Sequence, residues 1–285
     1  MRYHQYNVSA ADSTGLFVRQ FVPVEPGQSR RTLLIVHGTS EHGGRYRHVA
    51  QEAVRRGWEV IVPDMRGHGK SRGVPVHVDS FEEYLEDLDT LFQYFELNPD
   101  RTAVMGHSFG GLITARYVQT RSTRPAALVL LSPLLGLRVK INPLSCFLGK
   151  CMTYVAPRTR FQSTVPVEYT TRNERVLGLR VKDQYLHGSV TAAWFFEMKS
   201  ALDKVWREVS ELVVPVLALQ AGDDMIVEPS ATAPWLSKTG STDRSFKLLE
   251  GRYHELLNEP DWRQTLAQVL NWLDLRLHRA IVRAH

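Results

Sequence analysis

A serine flanked by glycines is the sharpest chemical signal in the sequence. Residues 106–111 read GHSFGG, and the apolar run TAVM before them predicts a buried strand, with a helix to follow. A serine that projects from a tight strand-to-helix turn needs small neighbours, because the backbone is strained there. This context favours a nucleophilic role for Ser108 over a chance occurrence of the pattern.

Two further side chains would be needed to activate this serine. A hydroxyl is a weak nucleophile at neutral pH, so a histidine must accept its proton and a carboxylate must orient that histidine. His254 follows the final predicted strand, on a glycine-containing loop before the closing helix. Asp223 and Asp224 follow the preceding strand, and only one of them can face His254, because neighbouring side chains in an extended segment point to opposite sides.

The elements that must position these residues alternate between strands and helices. After a predicted hairpin over residues 6–24, helical segments separate the apolar runs RTLLIV, WEVIVP, TAVMG, AALVLL, VPVLALQ and SFKLL. Such alternation predicts an α/β fold, with a mostly parallel doubly wound sheet and helices on both faces. Open α/β sheets bind ligands at the carboxyl ends of their strands. The candidate serine, acid and histidine all follow such strand ends.

The alternation stops between residues 133 and 212. Amphipathic helical segments such as PLSCFLGKCMTYV and TAAWFFEMKSAL stand there instead. We therefore predict a core built from residues 1–132 and 213–285, with a helical cap inserted at 133–212. The name cap is used below for residues 133–212.

The composition indicates one sizeable core and excludes several classes of protein. The chain has 285 residues, of which 43% are hydrophobic, and its formal net charge of +5 is spread without a nucleic-acid motif. Cys146 and Cys151 do not make a disulfide framework. The N-terminus lacks the apolar stretch of a secretory signal, and no run is long enough to span a bilayer. We expect a cytoplasmic protein with no nucleic-acid partner.

Two other chemistries are disfavoured by spacing. His37, His42, His48 and His68 lie close in sequence but match no zinc signature. The turn at residues 64–71, DMRGHGKS, lacks the spacing of a phosphate-binding loop, so we interpret it as structural. The sequence therefore predicts neither a metal nor a cofactor.

Four motifs together resemble the monoacylglycerol lipase and lysophospholipase branch of the α/β-hydrolases, a group often classified with the serine aminopeptidases. HGTSEHGGRY is similar to that branch's oxyanion loop, DMRGHGKSRG to its D-x-x-GHG-x-S turn, GHSFGG to its nucleophile turn and GRYHELLNE to its terminal histidine motif. The likeness covers nearly the whole chain outside the cap. One departure is Ser40, where relatives commonly carry glycine.

The resemblance implies a set of site residues. The family's acid directly precedes an x-[IVL] pair, which matches residues 224–226 and favours Asp224 over Asp223. The implied triad is Ser108, Asp224 and His254. The backbone N–H groups of Thr39 and Phe109 would form the oxyanion hole, which binds the negative oxygen of the reaction intermediate. Glu41 and Arg45 match loop positions that would help to organise a site for a polar head group.

The implied function is that of a serine hydrolase that cleaves carboxylic esters through an acyl-enzyme. A monoacylglycerol or a lysophospholipid is the substrate that the resemblance favours. Small esters, thioesters and N-terminal peptide bonds stay open as substrates for the same triad. A receptor that binds ligands in a retained hydrolase pocket is the alternative from another class.

The first part of the cap combines basic and apolar residues. Between residues 138 and 160 the basic ones are Arg138, Lys140, Lys150, Arg158 and Arg160, and none is acidic. The apolar stripe consists of Leu144, Phe147, Leu148, Cys151, Met152 and Val155. Such a helix either packs on the core with solvated flanks or covers an acyl pocket and contacts anionic lipid. The second interpretation predicts transient contact with membranes; no feature predicts an oligomeric state.

Overall fold

The computed structural model describes residues 1–24, 31–138, 143–162 and 167–283, and the side chains of all of these except 143–148 and 278–283. Its strands, in chain order, are β1 (Arg2–Ser9), β2 (Gly15–Val22), β3 (Thr32–Val36), β4 (Glu59–Pro63), β5 (Thr102–His107), β6 (Ala127–Leu131), β7 (Arg160–Gln162), β8 (Ser189–Thr191), β9 (Val216–Ala221) and β10 (Arg244–Leu249).

Eight of these strands form one sheet in the order β1-β2-β4-β3-β5-β6-β9-β10. The hairpin β1–β2 is antiparallel and also joins β4 in antiparallel fashion. From β4 to β10 all neighbouring strands are parallel. Strands buried on both faces read as unbroken apolar runs, and β6, ALVLL, is buried at every position. The predicted mostly parallel sheet is confirmed.

Helices cover both faces of this sheet. They are α1 (Arg47–Arg55), α2 (Glu82–Tyr94), α3 (Phe109–Thr120), α4 (Pro143–Val155), α5 (Glu174–Arg180), α6 (Ala192–Arg207), α7 (Thr232–Ser237) and α8 (Trp262–Arg283). Short 3₁₀ helices lie at Gly43–Tyr46, Pro99–Arg101, Val167–Tyr169, Val209–Glu211 and Pro229–Ala231. Residues of α2, α3 and α6 share one apolar cluster, and those of α1 and α8 share another. The predicted α/β-hydrolase arrangement, with helices on both faces, is confirmed.

The cap holds α4, β7, α5, β8 and α6 in the part of the chain that the structure describes. Its two short strands pair in antiparallel fashion, an element that the helical pattern did not predict. Trp194, Met198 and Val205 of α6 are buried in the same apolar cluster as α3. This packing favours counting α6 with the core, while the boundaries at 133 and 212 stay a prediction.

Two smaller expectations concern membranes and cysteines. None of the helices in the described parts of the chain is both long enough and apolar enough to cross a membrane. Cys151 is exposed and unpaired. The side chain of Cys146 lies outside the described residues.

Candidate active site

The turn between β5 and α3 holds Ser108 in a strained conformation. Its φ of 53° and ψ of −118° lie in a region that side chains rarely adopt, at a typical cost of about 1–3 kcal/mol. Its N–H donates to the carbonyl of Leu131 over 3.0 Å. A Cβ on Gly106 would lie 2.4 Å from the Gly110 oxygen, and one on Gly110 would lie 2.2 Å from the Val36 oxygen. The flanking glycines are therefore required by close backbone approach, as the pattern predicted.

A histidine and a carboxylate meet at the same edge of the sheet. Nδ1 of His254 donates to Oδ2 of Asp224 over 2.7 Å, and both residues are buried. The other carboxylate oxygen accepts the N–H groups of Ile226 and Val227. Burial raises the pKa of Asp224, but His254 and these N–H groups outweigh it and hold that pKa below its ordinary value. Asp223 is exposed, so the histidine is paired with the aspartate that the family motif favours.

The nucleophile turn and the histidine lie against one another through His107. The ring centroids of His107 and His254 are 4.8 Å apart, and Nε2 of His107 is 3.3 Å from the carbonyl oxygen of His254. Ser108 directly follows His107 in the chain. Within the described residues the Ser108 hydroxyl makes no hydrogen bond. Its pairing with His254 stays a prediction, and such bonds often tighten only when substrate binds.

The loop at residues 37–44, called the oxyanion loop below, packs directly on the nucleophile. A Cβ on Gly38 would lie 3.1 Å from Cβ of Ser108, and the Gly38 N–H donates to Oε1 of Glu41 over 2.6 Å. Ser40 has a φ of 62°, in the left-handed region that glycine adopts most easily. This conformation gives a physical reason for the glycine that relatives commonly carry there.

The predicted oxyanion donors are the N–H groups of Thr39 and Phe109. Thr39 follows Gly38 on the oxyanion loop, and Phe109 is the first residue of α3, where helical N–H groups have no partner within the helix. In the described part of the chain neither N–H donates to a backbone carbonyl in a turn or loop. Both are thus free to bind a ligand oxygen, and the oxyanion role stays a prediction.

The two predicted head-group residues are engaged inside the protein. Glu41 accepts hydrogen bonds from the hydroxyl of Tyr46, from Nδ1 of His107 and from Arg45, over 2.9, 3.0 and 2.7 Å. Arg45 also binds both carboxylate oxygens of Glu255. Glu41 is buried, and only 9% of the Arg45 side chain is exposed. Contact of either residue with a substrate stays a prediction.

Glu255 is a charged site residue that sequence reasoning missed. It follows His254 directly, and its side chain is 6% exposed. Burial opposes ionisation, but the Arg45 guanidinium outweighs it and lowers the pKa of Glu255 to about 2. Its arginine partners Arg45 and Arg180 lie 210 and 75 residues away in the sequence, so no local pattern indicates the pairing.

The turn at residues 64–71 is hydrogen-bonded to the oxyanion loop through Asp64. The buried carboxylate of Asp64 pairs with Arg19 over 2.6 Å and accepts the N–H groups of Gly43 and Lys70. Since Asp64 holds three parts of the chain together, these contacts favour the structural interpretation of the turn over phosphate binding.

One edge of the sheet thus carries a strained serine, a histidine oriented by a buried carboxylate, and two N–H groups that donate to no backbone carbonyl of a turn or loop among the described residues. Acyl transfer needs a nucleophile, a general base and donors for a negative oxygen. The described residues at this edge provide one candidate for each part.

Comparison with known proteins places this arrangement in a family. Residues 27–261 match the profile described as "Serine aminopeptidase, S33". The chain is 30% identical to "Phospholipase YtpA" of Bacillus subtilis, over 80% of this chain and 89% of the relative. It is 28% identical to "Monoacylglycerol lipase" of Mycolicibacterium smegmatis, over 86% of this chain and 88% of the relative.

Solved structures agree with the sequence relatives. The monoacylglycerol lipase of Paleococcus ferrophilus superposes with a TM-score of 0.82 at 25% identity, covering 90% of this chain and 98% of that one. The monoglyceride lipase of Saccharomyces cerevisiae, at 18% identity, shares the fold with a TM-score of 0.83 over 96% of each chain. The resemblance predicted from the four motifs is confirmed, and with it the class of enzyme, an ester hydrolase. The chain belongs to the serine aminopeptidase S33 family of α/β-hydrolases.

Proposed function

We propose that this chain hydrolyses carboxylic esters through an acyl-enzyme on Ser108. The observation that carries the proposal is the 2.7 Å hydrogen bond between His254 and Asp224, beside the turn that holds Ser108 in a strained conformation. A buried carboxylate on Nδ1 holds the imidazole with Nε2 free to accept a proton, which is the state a general base needs.

The proposed reaction has two halves. Nε2 of His254 takes the proton of Ser108 as Oγ attacks the ester carbonyl, and the N–H groups of Thr39 and Phe109 bind the resulting oxyanion. The C–O bond of the ester then breaks, and His254 gives its proton to the leaving alkoxide. In the second half His254 activates water, which releases the carboxylic acid and restores Ser108. Asp224 stays ionised throughout.

The proposed substrate is a monoacylglycerol or a lysophospholipid. The names of the relatives support it, since those from Mycolicibacterium smegmatis and Paleococcus ferrophilus are called monoacylglycerol lipase and the one from Bacillus subtilis is called phospholipase. Small esters, thioesters and N-terminal peptide bonds are the rival substrates for the same triad.

Exposed apolar residues of the cap support transient contact with a membrane surface. Tyr154 and Val155 at the end of α4 are 81% and 82% exposed, and Leu179 in the last turn of α5 and Val181 directly after it are 62% and 86% exposed. Lys150 is exposed on the same helix as Tyr154. Apolar side chains beside a cation suit the boundary between lipid head groups and acyl chains. We therefore propose peripheral association through these two helix ends.

The structure describes only part of the predicted apolar stripe. Of its members, Cys151 and Val155 are exposed and Met152 is half-buried. The side chains of Leu144, Phe147 and Leu148, and the whole of Lys140, lie outside the described residues.

A turnover panel with purified full-length protein tests the proposed substrate. It compares p-nitrophenyl esters of increasing chain length, a monoacylglycerol, lysophosphatidylcholine and an N-terminal proline amide. We expect a maximum at long acyl chains and release of fatty acid from at least one of the two lipids. Cleavage of the amide alone would overturn the ester assignment, and a maximum at acetate would overturn the lipid assignment.

A further inference from the structure

Alternating charges run from the cap to the oxyanion loop. Arg180, the last residue of α5, donates to Oε1 of Glu255 over 2.7 Å. Oε2 of Glu255 accepts from Arg45 over 2.7 Å, and Arg45 donates to Oε2 of Glu41 over 2.7 Å. Oε1 of Glu41 accepts the N–H of Gly38 over 2.6 Å. We call these four side chains, Arg180, Glu255, Arg45 and Glu41, the ion-pair network.

The ion-pair network is almost entirely shielded from solvent. The exposed fractions of its side chains fall from 16% at Arg180 to 9% at Arg45, 6% at Glu255 and 3% at Glu41. Two positive and two negative charges balance along the row. Removal of one partner from a buried pair is costly because it leaves another charge without compensation, so the four side chains depend on one another for their positions.

Each carboxylate of the ion-pair network adjoins a part of the proposed catalytic site. Glu255 follows His254 in the chain, and its own N–H donates to the carbonyl of Thr170 in the cap over 2.8 Å. Glu41 lies in the oxyanion loop, where it accepts the N–H of Gly38, and it also accepts from Nδ1 of His107, the neighbour of Ser108. Displacement of Arg180, the cap residue of the ion-pair network, would therefore shift the base, the oxyanion loop and the nucleophile turn.

We propose that Arg180 is a positioning residue, whose ion pair with Glu255 couples the seating of the cap to the placement of His254 and the oxyanion loop. The inference rests on the proposed function, since it assumes that His254 is the base. It makes the cap more than a cover for the acyl chain. Replacement of Arg180 would therefore slow the turnover even of an ester that is too small to reach the cap.

The test measures kcat and KM for p-nitrophenyl acetate in full-length variants. Arg180→Met keeps much of the side chain's length and removes its charge. We expect kcat to fall roughly ten- to hundredfold, because small misplacements of catalytic groups have effects of that size, while KM stays within about twofold. Arg180→Lys keeps the charge without the two-pronged guanidinium, and its kcat is expected to lie between those of Arg180→Met and wild type.

Arg175→Met is the matched control, since Arg175 is exposed on the same helix. We expect its kcat to equal that of wild type. An Arg180→Met protein that keeps wild-type kcat, and changes only KM or thermal stability, overturns the proposal and leaves Arg180 as a cap anchor. If Arg180→Met does not fold, Arg180→Lys decides, and wild-type kcat in that variant also contradicts the proposal.

Labelling by a fluorophosphonate separates this inference from the proposed function. If wild type does not label, the Ser108 mechanism itself fails. If wild type labels and Arg180→Met labels at the same rate, only the positioning role fails. Slower labelling of Arg180→Met, with Arg175→Met unchanged, supports both.

Discussion

The edge of the sheet and the cap hold their side chains in different ways. At the edge Asp224 is fully buried, His254 is 4% exposed, and the two share a short hydrogen bond. In the cap Val155 and Val181 are more than four-fifths exposed. Backbone strain and buried hydrogen bonds thus hold the candidate catalytic groups, while the cap presents apolar surface to its surroundings. Under the proposed function, the edge carries out the reaction, and the cap selects the substrate and contacts the lipid surface.

Replacement of the proposed nucleophile has the largest expected effect on this comparison. Ser108→Ala removes the attacking oxygen, and we expect turnover of every ester to fall by on the order of a millionfold, as in other triads. Steady-state assays with a short and a long p-nitrophenyl ester measure the loss. Ser210→Ala changes an exposed serine and should have no effect. Activity retained on either ester by Ser108→Ala would show that the edge does not set the reaction.

Replacement of the acid distinguishes two adjacent aspartates. Asp224→Asn keeps the shape of the side chain but favours the wrong histidine tautomer, so we expect kcat to fall about ten-thousandfold. Asp223→Asn is the matched control, because Asp223 is exposed next to it in the chain. Similar losses in the two variants would contradict the assignment of Asp224.

Acid should weaken the link between edge and cap through Glu255. Its pKa is about 2 in the folded protein and ordinarily 4.5, so its ion pairs stabilise the fold fully above about pH 4.5. That contribution is lost as the pH falls from 4.5 through about 2. We expect Glu255→Gln to lower the free energy of unfolding by roughly 3 kcal/mol at pH 7.

Urea unfolding at pH 7 and at pH 3 checks the sign. The difference in free energy of unfolding between wild type and Glu255→Gln should be smaller at pH 3 than at pH 7. Glu250→Gln, at an exposed position, should unfold like wild type at both pH values. A larger difference in free energy of unfolding at pH 3 would mean that the arginines do not hold Glu255 ionised.

The smallest effect is expected at the exposed end of the cap. Val181→Ser removes apolar surface from a side chain that is 86% exposed, so kcat for p-nitrophenyl acetate should not change. Co-sedimentation with anionic phospholipid vesicles should fall about two- to fivefold, since one lost apolar side chain weakens interfacial binding modestly. Equal binding of wild type and Val181→Ser to anionic vesicles would remove α5 from the proposed membrane surface.

Local patterns were enough to predict the edge of the sheet. Ser108, Asp224 and His254 each follow a strand within a few residues, and β5 and β9 contain the apolar runs AVM and VLAL, whereas β10, RSFKLL, mixes apolar and charged residues. The glycines beside Ser108 indicated the turn because no other residue fits where backbones approach to within 2.4 Å of a Cβ. Chemistry that depends on a strand end and a tight turn is therefore visible in the sequence.

Long-range pairing was not visible in the same way. Arg45 and Glu255 are 210 residues apart, and many arginines in the chain are equally plausible partners by type alone. The cap strands β7 and β8 have three residues each, too few for alternation to show. The left-handed backbone of Ser40 had no signal in the residue itself, only in its difference from the glycine of relatives.

The most direct test of the central claim is to identify the residue that a fluorophosphonate modifies. If Ser108 is the activated nucleophile, its oxygen displaces fluoride from phosphorus, and peptide mass spectrometry of the folded wild-type protein finds one phosphonyl group on Ser108. The Ser108→Ala protein should carry none. An unmodified wild-type protein, or a group attached to any other residue, would contradict the account.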